Sequence, residues 1–378
     1  MGATGSASAF PRPKALAEPV APGQSIHERQ TTRFPPTRRM NFAPSSHSAI
    51  GHSSTAWHAL ADRVLDGQPL DREQGLAILR AGDDQLLDLL AAAYRVRRQG
   101  FGNQVHLNFL INAKCGACSE DCGYCSQSKV SSADITPYSL LDAAELLDGA
   151  RIAVERQAKT YCIVTSGRVP NARDLDTILQ TVARIKASHR LKICLSPGLL
   201  TLEQAQRLKA AGVDRVNHNL NSSRRFYPHI CTTHSYQDRL DTLCAVRAAG
   251  MEICSGGIVG MGEEDTDVVD LALELGALRA EAVPINFLEP IDGTPLAGVR
   301  RLNPRYCLKV LALVRLANPR GELRIAAGRG MHLGSLQPLG LYVANSIFVG
   351  DYLTTKGQPP EEDFQMIEAL GFEIVVEG

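Results

Sequence analysis

No run of apolar residues in this 378-residue chain approaches the roughly 20 needed to span a bilayer, and no signal-peptide core is present. Membrane insertion and export are therefore not expected. Net charge is also missing. The 40 Lys and Arg balance 40 Asp and Glu, so no overall field favours nucleic acid or an anionic membrane as partner. No internal repeat is evident. What remains is a composition of 44% hydrophobic and 21% charged residues, ordinary for a soluble cytoplasmic protein. The length suits one large barrel as well as two smaller domains.

Residues 1–54 are rich in Pro, Ser, Ala and Arg and have no apolar period. Pro11, Pro13, Pro19, Pro22, Pro35, Pro36 and Pro44 would interrupt any helix, so this stretch is expected to be a disordered extension. Its acid-poor character, with Arg29, Arg33, Arg38 and Arg39, superficially suits a transit peptide and a mitochondrial location. The prolines work against the amphipathic helix such peptides form. A floppy extension, or a true start at Met40, is the preferred reading.

Helical patterning begins at Trp57, and residues 55–378 are expected to form one domain. Its β-rich runs are 104–111, 160–165, 191–195, 215–220, 252–259, 283–288, 322–326 and 346–349, with helical segments such as 175–187, 202–211, 236–249 and 268–278 between them. Strand–helix alternation implies a parallel sheet, and eight runs point to a closed (β/α)8 barrel of the TIM type, preceded by N-terminal helices. Catalytic groups then belong at the C-terminal ends of the strands. An open doubly wound sheet is the alternative.

Ten cysteines in a chain without an export signal call for an explanation other than disulfides. Cys118, Cys122 and Cys125 form a C-x3-C-x2-C run just after the first strand. Thiolates are the preferred ligands of iron–sulfur clusters, and three ligands for four irons leave one iron open for chemistry. Zinc is the alternative, because Cys115 extends the run to two knuckles. Such knuckles normally flank a loop of about 12 to 20 residues, and three residues leave little room to fold around one ion. Cys162, Cys194 and Cys254 fall in three different β runs at similar depth. With the right parity they would face inward together, as metal ligands or as small apolar core residues.

The C-x3-C-x2-C run, with the aromatic Tyr124 before its last cysteine, resembles the signature of radical S-adenosylmethionine enzymes. The resemblance implies a 4Fe-4S cluster on Cys118, Cys122 and Cys125. S-adenosylmethionine would chelate the open iron and be cleaved to methionine and a 5′-deoxyadenosyl radical. A second match, Gly256-Gly-Ile258-Val-Gly260-Met-Gly-Glu263, fits the G-x-I-x-G-x-x-E pattern associated with adenine binding.

From about Asn103 to the C-terminus the chain is similar to the biotin synthases. Stretches such as Tyr-Cys-Ile-Val-Thr-Ser-Gly-Arg from Tyr161 and Ala-Asn-Ser-Ile-Phe-Val-Gly-Asp-Tyr-Leu from Ala344 carry the likeness. It implies an auxiliary 2Fe-2S cluster held by Cys162, Cys194, Cys254 and Arg324. Chemistry alone would make Arg324 an ion-pair partner, because a guanidinium has no spare lone pair, and Arg329 is the competing choice. Asn219, Asn221 and Asn286 match positions near S-adenosylmethionine and dethiobiotin; Asn221 stands where some members have Asp. Ser119 replaces a common proline. Cys231, Cys244 and Cys307 match no ligand position and are expected to be packing or surface thiols. His218 is expected to be a core histidine bonded to backbone.

The implied activity is sulfur insertion converting dethiobiotin to biotin, the last step of biotin biosynthesis, with the 2Fe-2S cluster as sulfur donor. No protein acid or base is assigned a central role, since the cofactors carry the hard chemistry. The resemblance also implies a small electron-donor protein of flavodoxin or ferredoxin type, and a homodimer. Hydrogenase maturases and methylornithine-type mutases would share the first cysteine set but generally lack the second. A zinc-stabilised binding protein would have neither cluster.

Overall fold

The computed structural model describes residues 50–299 and 302–376. Of the disordered extension expected over residues 1–54, residues 1–49 lie outside the described residues, and residues 50–54 are not disordered but form the first turn of a helix. The strands are β1 Gln104–Lys114, β2 Thr160–Thr165, β3 Lys192–Ser196, β4 Arg215–Asn217, β5 Glu252–Cys254, β6 Gly257–Val259, β7 Ala282–Phe287, β8 Glu322–Ile325, β9 Ser346–Phe348 and β10 Glu373–Ile374. All pair in parallel, and β1 pairs with both β2 and β9, so the sheet closes on itself. β5 and β6 are two pieces of one stave, each pairing with β7. Eight staves result, the expected (β/α)8 barrel. β10 adds to the outside of this ring by pairing with the start of β1.

The expected run 252–259 is broken at Ser255–Gly256 for a local reason. Pro284, in the middle of β7, has no N–H to give the ladder at that level. A Cβ on Gly256 would stand 1.7 Å from the Pro284 carbonyl oxygen, so only glycine fits. β4 is also shorter than expected and ends at Asn217; the chain pairs again only at Asn221, through a single parallel bridge to Gly257.

The connecting helices start on side-chain caps legible in sequence. Asp142, Asn171, Thr201, Ser235 and Asn303 each accept a backbone N–H from the first turn that follows. Outward strand residues, such as Tyr161, Ile163, Ile193 and Leu195, pack into the main apolar core beneath these helices. The N-terminal helices run over Ile50–Leu65, Arg72–Arg80 and Leu86–Phe101, so the first begins earlier than the patterning at Trp57 indicates. Helix Pro304–Ala317 is covered on nearly every side, with Leu308, Val310, Leu311 and Leu313 fully buried.

Two buried arginines close the N-terminal end of the barrel. Arg97 donates to the Ala344 and Gln104 carbonyls at 3.1 and 3.0 Å, tying the starts of β9 and β1. Arg315 donates to the Val343 and Gly321 carbonyls at 3.0 and 2.9 Å, and to Asn345 Oδ1 at 2.7 Å. Burial pulls both guanidiniums down, to about 10 and about 9. The end opposite these clamps is left open for chemistry.

Gly256→Ala is expected to destabilise the protein by about 3 kcal/mol or more, because a backbone carbonyl cannot swing aside as a side chain does. A urea titration of variant against parent checks it; an unchanged midpoint would refute the close approach.

Candidate active site

Parallel pairing decides which side chains share the barrel interior, since Cα partners across a ladder point to the same face. Cys162 pairs with Cys194, and Leu110 with Cys162. Arg215 is the next partner of Cys194. On the following row Asn217 pairs with Cys254, and Cys254 with Ala282. Cys162, Cys194 and Cys254 thus converge into a small buried cluster with Leu110 and Ala282, apart from the main core. Asn217 Nδ2 lies 3.3 Å from Cys254 Sγ.

Below these thiols lies a charged layer, because the residues two positions earlier in the strands are Thr160, Lys192 and Glu252, with Glu322 two before Arg324. Glu322 Oε1 accepts from Arg324 Nη2 at 2.6 Å and from Ser346 Oγ at 2.9 Å. Its Oε2 faces Arg215 Nη1 at 3.4 Å and His106 Nδ1 at 3.3 Å. Arg215 also reaches Glu252 at 2.7 Å, and Lys192 meets the same carboxylate at 2.7 Å. Burial opposes ionisation of Glu322, but Arg324 and Arg215 outweigh it and hold the carboxyl well below the usual range. Cys254 is pushed up, first by its contact with Cys194 and then by burial. Three clustered thiols, with Cys194 facing both of the others, beside two fixed guanidiniums fit a metal cluster as a donor set, since metal and arginine together balance the charge that thiolates would bring. Arg329 is elsewhere, paired with Asp363 at 2.7 Å.

Above the thiols, a cavity of ≈ 320 Å³ opens at the C-terminal ends of the strands. Cys118, Cys122 and Cys125 line one side and Cys162, Cys194, Cys254 and Arg324 its floor. The loop carrying the first trio turns through left-handed backbone at Gly116 and Ala117. It is fastened by Gly123 N–H to the Ile230 carbonyl at 2.9 Å. Burial raises the Cys125 thiol to about 11. These three sulfurs do not gather tightly enough for a single ion; among the described residues, Cys122, Cys231 and His234 do. The wider spread fits a cluster, where each thiolate serves a different iron. Cys115 is bridged backbone to backbone with Tyr138 and does not line the cavity, and among the described residues the four cysteines of this run do not gather around one point as a zinc site requires.

Tyr124, Asn219, Asn221, Ile258 and Asn286 line the same cavity. Asn221, at φ +69°, donates from Nδ2 to the Tyr124 hydroxyl at 2.6 Å. Asn219 Oδ1 accepts from Asn217 Nδ2 at 3.0 Å and from Gly256 N–H at 3.1 Å. Asn286 bridges the Gly257 carbonyl and Ala327 N–H, at 3.0 and 3.1 Å. Gly256, Gly260 and Glu263 are not on the cavity wall. Glu263 Oε1 accepts the Gly260 N–H at 2.5 Å and shapes the turn, while buried Oε2 has no partner and burial pushes its carboxyl up. His218 departs from the backbone-bonded core histidine expected: its ring is buried against the cavity and Nε2 has no partner. Burial holds it neutral.

Sequence reasoning missed Arg215, Glu322 and the group of Glu120, His234 and Arg239. For the first two the signal was a charge at an inward parity inside an apolar strand; for the others no local pattern exists. Cys244 is exposed and Cys307 buried, as packing or surface thiols are. Glu322→Gln leaves two buried guanidiniums without their shared anion and is expected to cost about 3–5 kcal/mol of stability. Anaerobic thermal or urea unfolding checks this; a loss below about 1 kcal/mol would contradict the charged floor.

The model of the radical SAM superfamily matches residues 114–275, and that of the Biotin and Thiamin Synthesis associated domain matches residues 284–373. Biotin synthases of Rhodopirellula baltica and Geobacillus kaustophilus are each 56% identical to this chain over 318 residues. That is 84% of this chain and 89% and 96% of theirs. Among solved structures, methylornithine synthase superposes with TM-score 0.72 at 20% identity, over 84% of this chain and 97% of its own. The FeFe-hydrogenase maturase HydG from Carboxydothermus hydrogenoformans gives 0.72 at 15%, over 87% and 81%. These two likenesses speak for the barrel fold alone. Identity above one half, sustained across the barrel and both family models, is a matter of descent: the chain belongs to the biotin synthase family of radical S-adenosylmethionine enzymes.

Proposed function

We propose that this chain is a radical S-adenosylmethionine enzyme that inserts sulfur into dethiobiotin to give biotin. The observation that carries the reading is that two separate sets of thiols face one cavity in a chain of this family. Cys118, Cys122 and Cys125 would hold a 4Fe-4S cluster, and Cys162, Cys194, Cys254 and Arg324 a 2Fe-2S cluster. When bound, the clusters and S-adenosylmethionine supply the one-electron cleavage, the hydrogen abstraction and the sulfur atom.

The protein's own part is placement and exclusion. Tyr124 and Asn221, joined by their 2.6 Å hydrogen bond, form a polar wall for the hydroxyls and amines of S-adenosylmethionine. Asn219 and Asn286 are held by backbone partners and so present amides at set positions near cosubstrate and substrate. Arg324 is fixed by Glu322 and Ser346 rather than left to swing. Phe348, Tyr352 and Leu353 flank the inner thiols and keep that end of the cavity apolar, which protects a reactive carbon centre from water. The barrel with its N-terminal helices and C-terminal segment would act as a single catalytic domain. On family grounds the electron would come from a small flavodoxin- or ferredoxin-type donor, and the enzyme would be a homodimer. No helix of the described residues is long and apolar enough to cross a membrane.

Cys118→Ala, Cys122→Ala or Cys125→Ala is expected to abolish both S-adenosylmethionine cleavage and biotin formation. Cys254→Ala should retain cleavage, read as 5′-deoxyadenosine, and lose biotin. Biotin formed at the parent rate by Cys254→Ala would remove the sulfur-donor assignment. Anaerobic absorption with iron and sulfide counts separates both from a zinc protein, which would be colourless. Sedimentation at the mass of one chain would refute the dimer.

A further inference from the structure

Cys231 belongs to neither proposed ligand set, yet it touches one of them. It is buried, and its Sγ lies 3.7 Å from Cys122 Sγ. The backbones on both sides of the pair are already fastened. Gly123 N–H donates to the Ile230 carbonyl at 2.9 Å, and the Asp121 carboxylate accepts the Thr232 and Thr233 N–H groups at 2.9 and 3.2 Å. Closing to a disulfide length of about 2.05 Å asks the sulfurs to approach by less than 2 Å, between segments whose backbones are already held side by side. The two sulfurs differ in what they face: Cys122 lines the cavity and Cys231 does not. A bond between them draws the Cys122 sulfur away from the cavity wall.

We propose that Cys122 and Cys231 form a reversible disulfide when the enzyme has lost its cluster iron and meets peroxide, removing one ligand from the cluster site until the bond is reduced. Peroxide reaching the cavity transfers an oxygen to Cys122, giving a sulfenic acid and water. The Cys231 sulfur then attacks Cys122, the S–O bond breaks, and hydroxide leaves with the Cys231 proton as a second water. Two thiols are oxidised by two electrons in all and one peroxide is reduced to two waters. Without Cys231 beside it, the same sulfenic acid is open to further oxidation, which is irreversible at the sulfinic stage and beyond. The consequence for cluster loading rests on Cys122 being a ligand; the bond itself does not.

The test uses full-length protein stripped of iron, treated with hydrogen peroxide in the presence of chelator, alkylated and mapped by mass spectrometry. A Cys122–Cys231 linked peptide is expected, with iron and sulfide uptake falling by the four-iron share of the first cluster, while the inner thiol set still loads, and returning after dithiothreitol. Cys231→Ser protein should load iron as the parent does before peroxide. After peroxide it should show Cys122 as sulfinic or sulfonic acid and no recovery on reduction. Linkage of Cys122 to Cys118 or Cys125, two intact thiols, or full recovery of Cys231→Ser would overturn the proposal. The ligand assignment is read separately: undiminished iron loading by Cys122→Ala before any peroxide would remove the blocking consequence and leave the mapped peptide to decide the bond.

Discussion

Side chains in a strand return to the same face every second residue, and residues paired across a parallel ladder share that face. In a closed barrel this rule runs around the whole ring. It places Cys162, Cys194, Arg215, Asn217, Cys254 and Ala282 on the inside together, although 120 residues of sequence separate the first from the last. It also makes Tyr161, Ile163, Ile193 and Leu195 face the helices, so each strand feeds the apolar core and the site at once. A one-residue slip in any stave would exchange the two.

A polar interior has to be reconciled with burial, and the barrel does this by stacking charge in a layer under the thiols. Glu322 compensates Arg324 and Arg215, while Glu252 compensates Arg215 and Lys192, so the buried ions are paired. The guanidiniums are held in place by these partners before anything binds. A positive floor beneath the three thiols opposes the high buried proton affinity of Cys194 and Cys254, which is the electrostatic condition a cluster would need to replace protons there. At the other end, Arg97 and Arg315 satisfy the carbonyls of strand entries and seal the barrel. Rigidity at the closed end leaves the loops of the open end to carry chemistry.

The loop after β1 joins two kinds of constraint. Its cysteines stand apart, as the proposed ligands of different irons would, and its backbone is tied to the segment around Ile230 that follows β4. That tie brings Cys231 and His234 close to Cys122, with Glu120 and Arg239 both bonded to His234. The surroundings of the cysteine run are therefore built by two distant loops rather than by the run alone.

Much of this was legible in the chain. Helix caps such as Asp142 and Asn171, the eight β-rich runs and the cysteine spacing are local patterns, set by hydrogen-bonding chemistry and period within a few residues. The broken stave at Gly256 was not legible, because its cause is Pro284, a neighbour only after the barrel closes. The same holds for Glu322 and Arg215, whose meaning depends on which face of which stave they occupy. Glu263 and Gly260, which read as ligand contacts, turn back on each other to make a turn. Cys231 read as one more packing thiol. Sequence by itself determined the elements, the two thiol sets and the family, since these rest on short-range order. Only tertiary structure decided which strand face each set shared and which thiol stood next to Cys122, because through-space proximity arises from ring closure and loop docking and leaves no periodic trace.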